Sequence, residues 1–352
     1  MDKVKGKFGF GMMRLPMNGN EVDIEQTKKM VDLFLESGFN YFDTAHGYID
    51  GKSEIAVREA LTSRYPRDSY ILTDKLTSNF FSKQEDIKPV IEEQLKACGV
   101  EYFDYLLMHA QGSNNYEQYQ RCRAYETALE LKKEGKIRHL GISFHDSAAF
   151  LDKILTDHPE VEVVQLQLNY LDWDDKGVQS GPCYEVASKH GKEVIVMEPV
   201  KGGRLAILPK AASKGLVGSP ASYALRFCAS LDNVKMILSG MSSLEQMEDN
   251  VKTMGQALPL SEAEKEKLEE IKAYLRAEKL IECTHCSYCE PVCPVSMPIP
   301  DLFAKENKRR ASLGTLEASD KGQAASCLRC GACEEKCPQH LPIRELLSSI
   351  AE

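Results

Sequence analysis

No apolar run in this 352-residue chain approaches the roughly 18 residues of a membrane-crossing helix, so no membrane span is expected. Positive charge is short as well. Lys and Arg number 44 against 53 Asp and Glu, a net charge of −9. That balance lacks the basic face of a nucleic-acid binder, so no nucleic-acid partner is expected. The opening residues, Met1-Asp2-Lys3-Val4-Lys5-Gly6, lack the apolar core of a signal peptide, and a cytoplasmic location is expected. A doubly wound sheet usually opens its first βα unit with a glycine fingerprint. Here Gly6-Lys7-Phe8-Gly9-Phe10-Gly11 is not followed promptly by a helix, which disfavours that fold. Cysteine, by contrast, is abundant. There are 12, and eight crowd between residues 283 and 337. In a cytosolic chain such crowding points to metal rather than disulfides.

The first two-thirds of the chain alternate short apolar runs with amphipathic stretches. The pattern predicts strands at 8–13, 40–43, 70–75, 103–109, 137–143, 163–168, 193–198 and 235–239. Helices are predicted between them, among others at 25–37, 52–62, 84–98, 117–133 and 220–229. Eight strand–helix units in about 250 residues is the size of a (β/α)8 TIM barrel. Ser261 and Glu264 then fit a capping box, opening a charged amphipathic helix over 261–281.

After that helix come two copies of one motif, 44 residues apart. The first carries Cys283, Cys286, Cys289 and Cys293, followed by Pro294. The second carries Cys327, Cys330, Cys333 and Cys337, followed by Pro338. Both read C-x2-C-x2-C-x3-C-P, the bacterial ferredoxin spacing for [4Fe–4S] clusters. Three thiolates wrap one cubane, and the fourth, turned away at the proline, ligates the other. Cys283, Cys286, Cys289 and Cys337 are therefore expected to hold one cluster, and Cys327, Cys330, Cys333 and Cys293 the second. Structural zinc sites use C-x2-C pairs but require neither the third cysteine nor a doubled C-P. The segment between the motifs reads as helical over 299–310, which suits a small, mainly helical ferredoxin-like module. The expected organisation is a barrel over 1–258, a connecting helix over 259–282 and an iron–sulfur domain over 283–352. Cys98, Cys122, Cys183 and Cys228 read as small buried hydrophobes. Lys305, Lys308, Arg309 and Arg310 form a basic group, more simply a solvated helix face than a dock for an acidic redox partner.

Three of the predicted barrel strands end in Asp43, Lys75 and His109, which puts these residues on the catalytic face of a β/α barrel. Tyr48 lies on the loop just after Asp43. Each has an ordinary structural reading taken alone, and their joint arrangement favours a site. Asp43-Thr44-Ala45 with Tyr48, then Glu54, Lys75, His109, Gly141-Ile142-Ser143, Gln165, Asn169-Tyr170 and Gly240 through Asn250 follow in order. Over residues 8–258 the chain resembles the aldo-keto reductase family, in the branch with a C-terminal di-[4Fe–4S] domain.

That resemblance implies an oxidoreductase with Asp43, Tyr48, Lys75 and His109 as its catalytic set. Tyr48 would protonate the alkoxide formed when a carbonyl is reduced. A neighbouring Lys75 ammonium would favour its ionisation, Asp43 would hold Lys75, and His109 would orient the carbonyl oxygen. The resemblance also implies NADP or NAD across the barrel mouth. Met13 would contact the cofactor, Ser143 and Gln165 would hold the nicotinamide side, and Pro199, Lys201, Gly202, Gly203 and Arg204 the pyrophosphate. Gly240, Met241, Ser242, Gln246 and Asn250 would meet the adenosine end. The chain reads Gly141-Ile142-Ser143-Phe144-His145 where many relatives read Gly-x-Ser-Asn. It has Gly240 and Gln246 where relatives selective for the 2′-phosphate carry basic residues. Residues 111–120 and 172–181, with Trp173, are expected to shape the pocket for a small carbonyl or alcohol substrate.

The fusion admits three readings. The barrel is a self-sufficient reductase beside structural or regulatory clusters, or the clusters exchange electrons with the barrel site or a ferredoxin-like partner, or the barrel has lost catalysis. The intact set of four argues against the last. A flavin could mediate between hydride and one-electron chemistry, but no motif indicates one. The expected iron content is about eight atoms per chain, two cubanes of four. Metal analysis of anaerobically purified protein checks this, and zinc in place of iron would remove the spacing argument.

Overall fold

The computed structural model describes residues 3–256, 258–311 and 313–352. They form two compact units. One comprises Met1–Asp174, Gln179–Pro199 and Ser222–Leu260; the other comprises Asp175–Val178, Val200–Ala221 and Ser261–Glu352.

The first unit is a closed barrel of eight parallel strands. These are β1 (Phe8–Gly11), β2 (Tyr41–Asp43), β3 (Ile71–Leu76), β4 (Phe103–Gln111), β5 (Ile137–Phe144), β6 (Val163–Gln167), β7 (Glu193–Met197) and β8 (Val234–Gly240). Each pairs with its sequence neighbour, and β1 pairs with both β2 and β8, which closes the ring.

Alternation along the strands sorts the residues into two cores. Tyr41, Ile71, Tyr105, Leu107, Val163, Ile195, Met236 and Leu238 form one buried cluster, the barrel interior. The intervening Phe42, Leu72, Leu106, Met108, Leu140, Ile142, Val164 and Val196 join the larger core shared with the helices. Asp43, Lys75, His109, Ser143 and Gln165 have the parity of the interior set, further along the same strands. They therefore crown the interior at the C-terminal end. Large side chains on six strands leave room for little on β5. A Cβ at Gly141 would lie 2.5 Å from Leu107 Cδ2, 2.5 Å from Val163 Cγ2 and 2.8 Å from the Val163 carbonyl oxygen.

The outer helices follow the predicted pattern with one correction. The helix expected over 117–133 is two, Tyr116–Arg121 and Ala124–Lys133, broken where Arg123 turns left-handed at φ 52°. Tyr119 and Tyr125 would lie about 240° apart on a continuous helix. The break lets both face the strand ends. Tyr119 Oη lies 2.8 and 2.9 Å from the carbonyl oxygens of Leu76 and His109, sharing its one proton between them, and Tyr125 Oη donates to Gln111 Oε1 at 3.0 Å. Cys98, Cys122, Cys183 and Cys228 are all buried.

The second unit is mainly helical. Its helices include Glu262–Ala277, opened by the Ser261–Glu264 capping box, Ile299–Arg310, Ala318–Ala325 and Ile343–Ala351. They pack around Ile281, Met297, Ile299, Leu302, Phe303, Ala324, Ile343, Leu347 and Ile350, with Cys289 and Cys333 in the same core. The 44-residue repeat extends to the backbone. His285 and Arg329 have φ of 56° and 55°, Ser287 and Gly331 61° and 86°, and Ser296 and His340 48° and 50°. Among the described residues no helix is long and apolar enough to cross a membrane.

Gly141→Ala would overpack the barrel interior. The expected cost is about 1–3 kcal/mol, read as a lower denaturation midpoint with the parallel-barrel circular dichroism retained.

Candidate active site and cluster centres

Three strand ends and the loop after Asp43 deliver the four expected side chains to one place. Lys75 is 1% exposed, and its Nζ donates to Asp43 Oδ1 at 2.6 Å and to the Thr44 carbonyl at 2.7 Å. Asp43 also accepts from Gln165 Nε2 at 3.2 Å. The half-buried Tyr48 closes over this pair. Lys75 Nζ lies 4.8 Å from the Tyr48 ring centroid, and the ring meets His109 edge-on at 5.9 Å. Thr77 Oγ1 lies 2.6 Å from His109 Nδ1.

The electrostatics separate the roles. Burial pushes the Asp43 carboxyl up, and the Lys75 ammonium beside it pulls it back. Burial, then Lys75 and His145, holds His109 well below the usual histidine range, so its ring is neutral. Behind Lys75 lies a group that the sequence did not single out. Glu54, Asp74 and Cys98 bring their ligating atoms within 4.8 Å of one another. Asp74 accepts from the Lys75 amide at 2.7 Å and from Gln94 Nε2 at 2.9 Å. Burial, then the Glu54 carboxylate, pushes Asp74 well up, which favours its neutral form. His46, beside the loop, meets Glu54 at 2.9 Å, and that hydrogen bond raises the imidazole's affinity for a proton.

The residues expected around a nucleotide divide between the two units. In the barrel, Ser143 Oγ accepts from the Ala110 amide at 2.9 Å, and Met13 is half-buried just past β1. Beyond β8, Met241 is buried and Ser242 is exposed; the Ser242 amide donates to Gln246 Oε1 at 2.8 Å. Asn250 Nδ2 donates to Ser239 Oγ at 3.0 Å. No lysine or arginine lies in 240–250. The first loop supplies one instead. Arg14 Cβ would lie 3.3 Å from a Cβ at Gly240, and its carbonyl accepts from Ser242 Oγ at 2.9 Å. Hydroxyl, amide and bare backbone groups at these strand ends suit a nucleotide. Pro199 is buried at the end of the first unit. Lys201, Gly202, Gly203 and Arg204 belong to the second, where Lys201 Nζ lies 3.1 Å from Gln339 Oε1. Trp173 packs on Tyr184 and Phe227.

The motif cysteines assemble as two sets of four. Burial and then the neighbouring thiols of Cys286, Cys283 and Cys337 push the Cys289 thiol up, which places these four together. Cys293, Cys327, Cys330 and Cys333 line one cavity with Met297, Ile299 and Leu347. The fourth cysteine of each motif thus sits with the other motif's first three. Backbone amides point at the sulfurs: His285 N to Cys283 Sγ, Arg329 N to Cys327 Sγ and Met297 N to Cys293 Sγ, each at 3.4 Å. Such amide nests suit an anionic iron–sulfur core, and no disulfide ties up the described cysteines. The basic group of Ile299–Arg310 is largely matched locally. Lys305 pairs with Asp320, and Arg309 and Arg310 with Glu306.

Comparison with known proteins finds a family match in each of two stretches of the chain. Residues 7–208 match the model of the aldo/keto reductase family, and residues 279–341 match that of the 4Fe-4S dicluster domain. L-galactose dehydrogenase of Arabidopsis thaliana is 26% identical over 267 residues, 69% of this chain and 82% of that protein. An aldo-keto reductase from Bacillus halodurans, solved in its holo form, superposes with a TM-score of 0.64 at 25% identity, covering 76% of this chain and 92% of that one. An aldo-keto reductase from Klebsiella pneumoniae in complex with NADPH gives a TM-score of 0.61 at 20% identity, covering 76% and 95%.

The neutral His109 has a consequence for stability. Its folded pKa lies below the ordinary 6.5, so the unfolded chain takes up the extra proton as pH falls. Its contribution is present above about pH 6.5 and is lost progressively below it. Denaturation midpoints compared at about pH 7.5 and about pH 6 should fall less in His109→Asn than in the parent.

Proposed function

Because the chain belongs to the aldo/keto reductase family, we propose that its barrel reduces a small carbonyl compound, or oxidises the matching alcohol, with Tyr48 as general acid/base. The chain is an oxidoreductase with a 4Fe–4S domain. The observation that carries the finer reading is the Lys75 ammonium, pinned by Asp43 at 2.6 Å and set 4.8 Å from the Tyr48 ring centroid. A fixed positive charge beside a phenol favours loss of its proton. Tyr48 can therefore give a proton to a nascent alkoxide and recover it in the reverse direction. Neutral His109 carries one ring proton. When the Thr77 hydroxyl donates to Nδ1, that proton sits on Nε2, from which it can be offered to a carbonyl oxygen.

A bound reduced nicotinamide, NADPH or NADH, supplies the hydride. Met13, Ser143 and Gln165 would hold its reactive end. Gly240, Met241, Ser242, Gln246 and Asn250 would meet the adenosine, with Arg14 alongside. Two [4Fe–4S] clusters would be held by Cys283, Cys286, Cys289 and Cys337, and by Cys327, Cys330, Cys333 and Cys293.

One observation favours electron exchange at the clusters as a second reading. Cys330 is exposed and nearby Leu328 is 64% exposed, so the second ligand set reaches the surface at Cys330, where a one-electron partner could approach.

The test is anaerobic. Carbonyl reduction on a substrate panel should fall about 100- to 10,000-fold in Tyr48→Phe, while nucleotide binding by fluorescence stays unchanged. Unchanged reduction would remove Tyr48 from the chemistry. Bleaching of the cluster absorbance by NADPH or NADH, lost in Tyr48→Phe, would support the electron-transfer reading. No bleaching would leave the barrel self-sufficient.

A further inference from the structure

The turn after Pro199 has the composition of a pyrophosphate cradle, yet its side chains are engaged by the cluster loops. Three successive residues are left-handed there: Lys201 at φ 47°, Gly202 at 63° and Gly203 at 98°. Gly202 lies flush on Thr284, the residue after Cys283. A Cβ there would sit 2.6 Å from the Thr284 carbonyl oxygen and 2.8 Å from its Cβ. Lys201 is 3% exposed, and its Nζ lies 3.1 Å from Oε1 of Gln339, two residues past Cys337. The same Nζ is 3.5 Å from Oε2 of Glu282, which immediately precedes Cys283, and Arg204 also pairs with Glu282. One turn thus touches both chain segments that supply the first ligand set. Lys201 and Arg204 thus both reach the Glu282 carboxylate beside Cys283.

The second half of the repeat supplies an internal contrast. Ser326, Leu328 and Val295 stand where Glu282, Thr284 and Gln339 stand in the first. Leu328 and Val295 are 64% and 39% exposed, so the equivalent surface is open. Near that set, Arg344 is matched by Glu334 at 2.7 Å, and Arg329, between Cys327 and Cys330, donates to Ser348 Oγ at 2.8 Å.

We propose that Lys201 is a positioning residue of the cluster built on Cys283, Cys286, Cys289 and Cys337, and that it raises that cluster's reduction potential. The proposal rests on the two-cluster reading. Reduction adds one electron, and so one negative charge, to the cluster. A buried ammonium stabilises that reduced form more than the oxidised one, and low local dielectric strengthens the effect. Reduction potential responds to such local charge and to solvent exposure.

The experiment is an EPR-monitored redox titration of the full-length holoprotein, with nucleotide dissociation constants measured in parallel. In the parent, two one-electron couples with iron near eight per chain establish the two-cluster reading; fewer overturn that reading and this proposal with it. Lys201→Met should lower one couple by about 59 mV, a tenfold change in its reduced-to-oxidised ratio, and leave the other in place. Glu282→Gln should move the same couple upward, and Lys201→Arg should hold the parental value. Opposite shifts from the two substitutions are not what a merely structural role would produce. If Lys201→Met loses iron, Glu282→Gln, which keeps Lys201, decides. Potentials that stay fixed in every variant overturn the proposal. So does a Lys201→Met that leaves both couples in place and weakens NADPH or NADH binding, which would return the turn to the pyrophosphate.

Discussion

An ammonium taken out of water needs a carboxylate to answer it, and Lys75 is 1% exposed. Asp43 answers it from the neighbouring strand. The two can meet only if β2 and β3 keep their register, with Asp43 opposite Thr73. A slip by one residue would turn every side chain of a strand to the other face. It would put Lys75 among the helices and Phe42 inside the barrel. The ion pair and the interior packing of Tyr41, Ile71 and Tyr105 therefore demand the same alignment. The other members depend on it in turn: Tyr48 leans over the pair, and Gln165 crosses from β6 to the free oxygen of Asp43.

Around that pair the fold sorts charge by burial. Asp74 immediately precedes Lys75 in sequence, yet points to the opposite face and meets Glu54 and Gln94. Desolvation and a like charge drive it toward the neutral form, so Asp43 is the carboxylate that faces the ammonium. His109 is driven neutral by burial and by Lys75 itself. One fixed cation, one opposing carboxylate and a neutral imidazole are the surroundings that the proposed acid/base role of Tyr48 would need.

The second unit solves a different problem. Its eight motif thiols need surroundings that tolerate concentrated negative charge. Backbone amides aimed at Cys283, Cys293 and Cys327 supply part of that, from turns that hold non-glycine residues at positive φ. Such conformations persist only when their surroundings over-determine them. Here the two halves repeat them at matching positions. The halves differ in what packs on them: Lys201 and Gly202 cover one, while the other is open at Leu328.

Local pattern made much of this legible. Short apolar runs closed by polar residues marked all eight strands to within a few residues, because parallel strands buried on both faces are apolar on both. Asp43, Lys75 and His109 were visible as polar residues closing apolar runs. The doubled C-x2-C-x2-C-x3-C-P spacing was visible because ligand geometry over a few residues is a local property. What depends on pairing between distant segments was not. The break at Arg123 carries no glycine or proline signal; it comes from Tyr119 and Tyr125 reaching different strand ends. Thr77 against His109 and Glu54 against Asp74 exist only once the ring has closed. The turn at Lys201 shows the limit most plainly. Its glycines and cations have the composition of a phosphate cradle, and nothing within ten residues contradicts that. Only the tertiary structure supplies Glu282, Thr284 and Gln339 as its neighbours, because a buried ammonium takes its partner from whatever the fold brings within reach, not from the adjacent sequence.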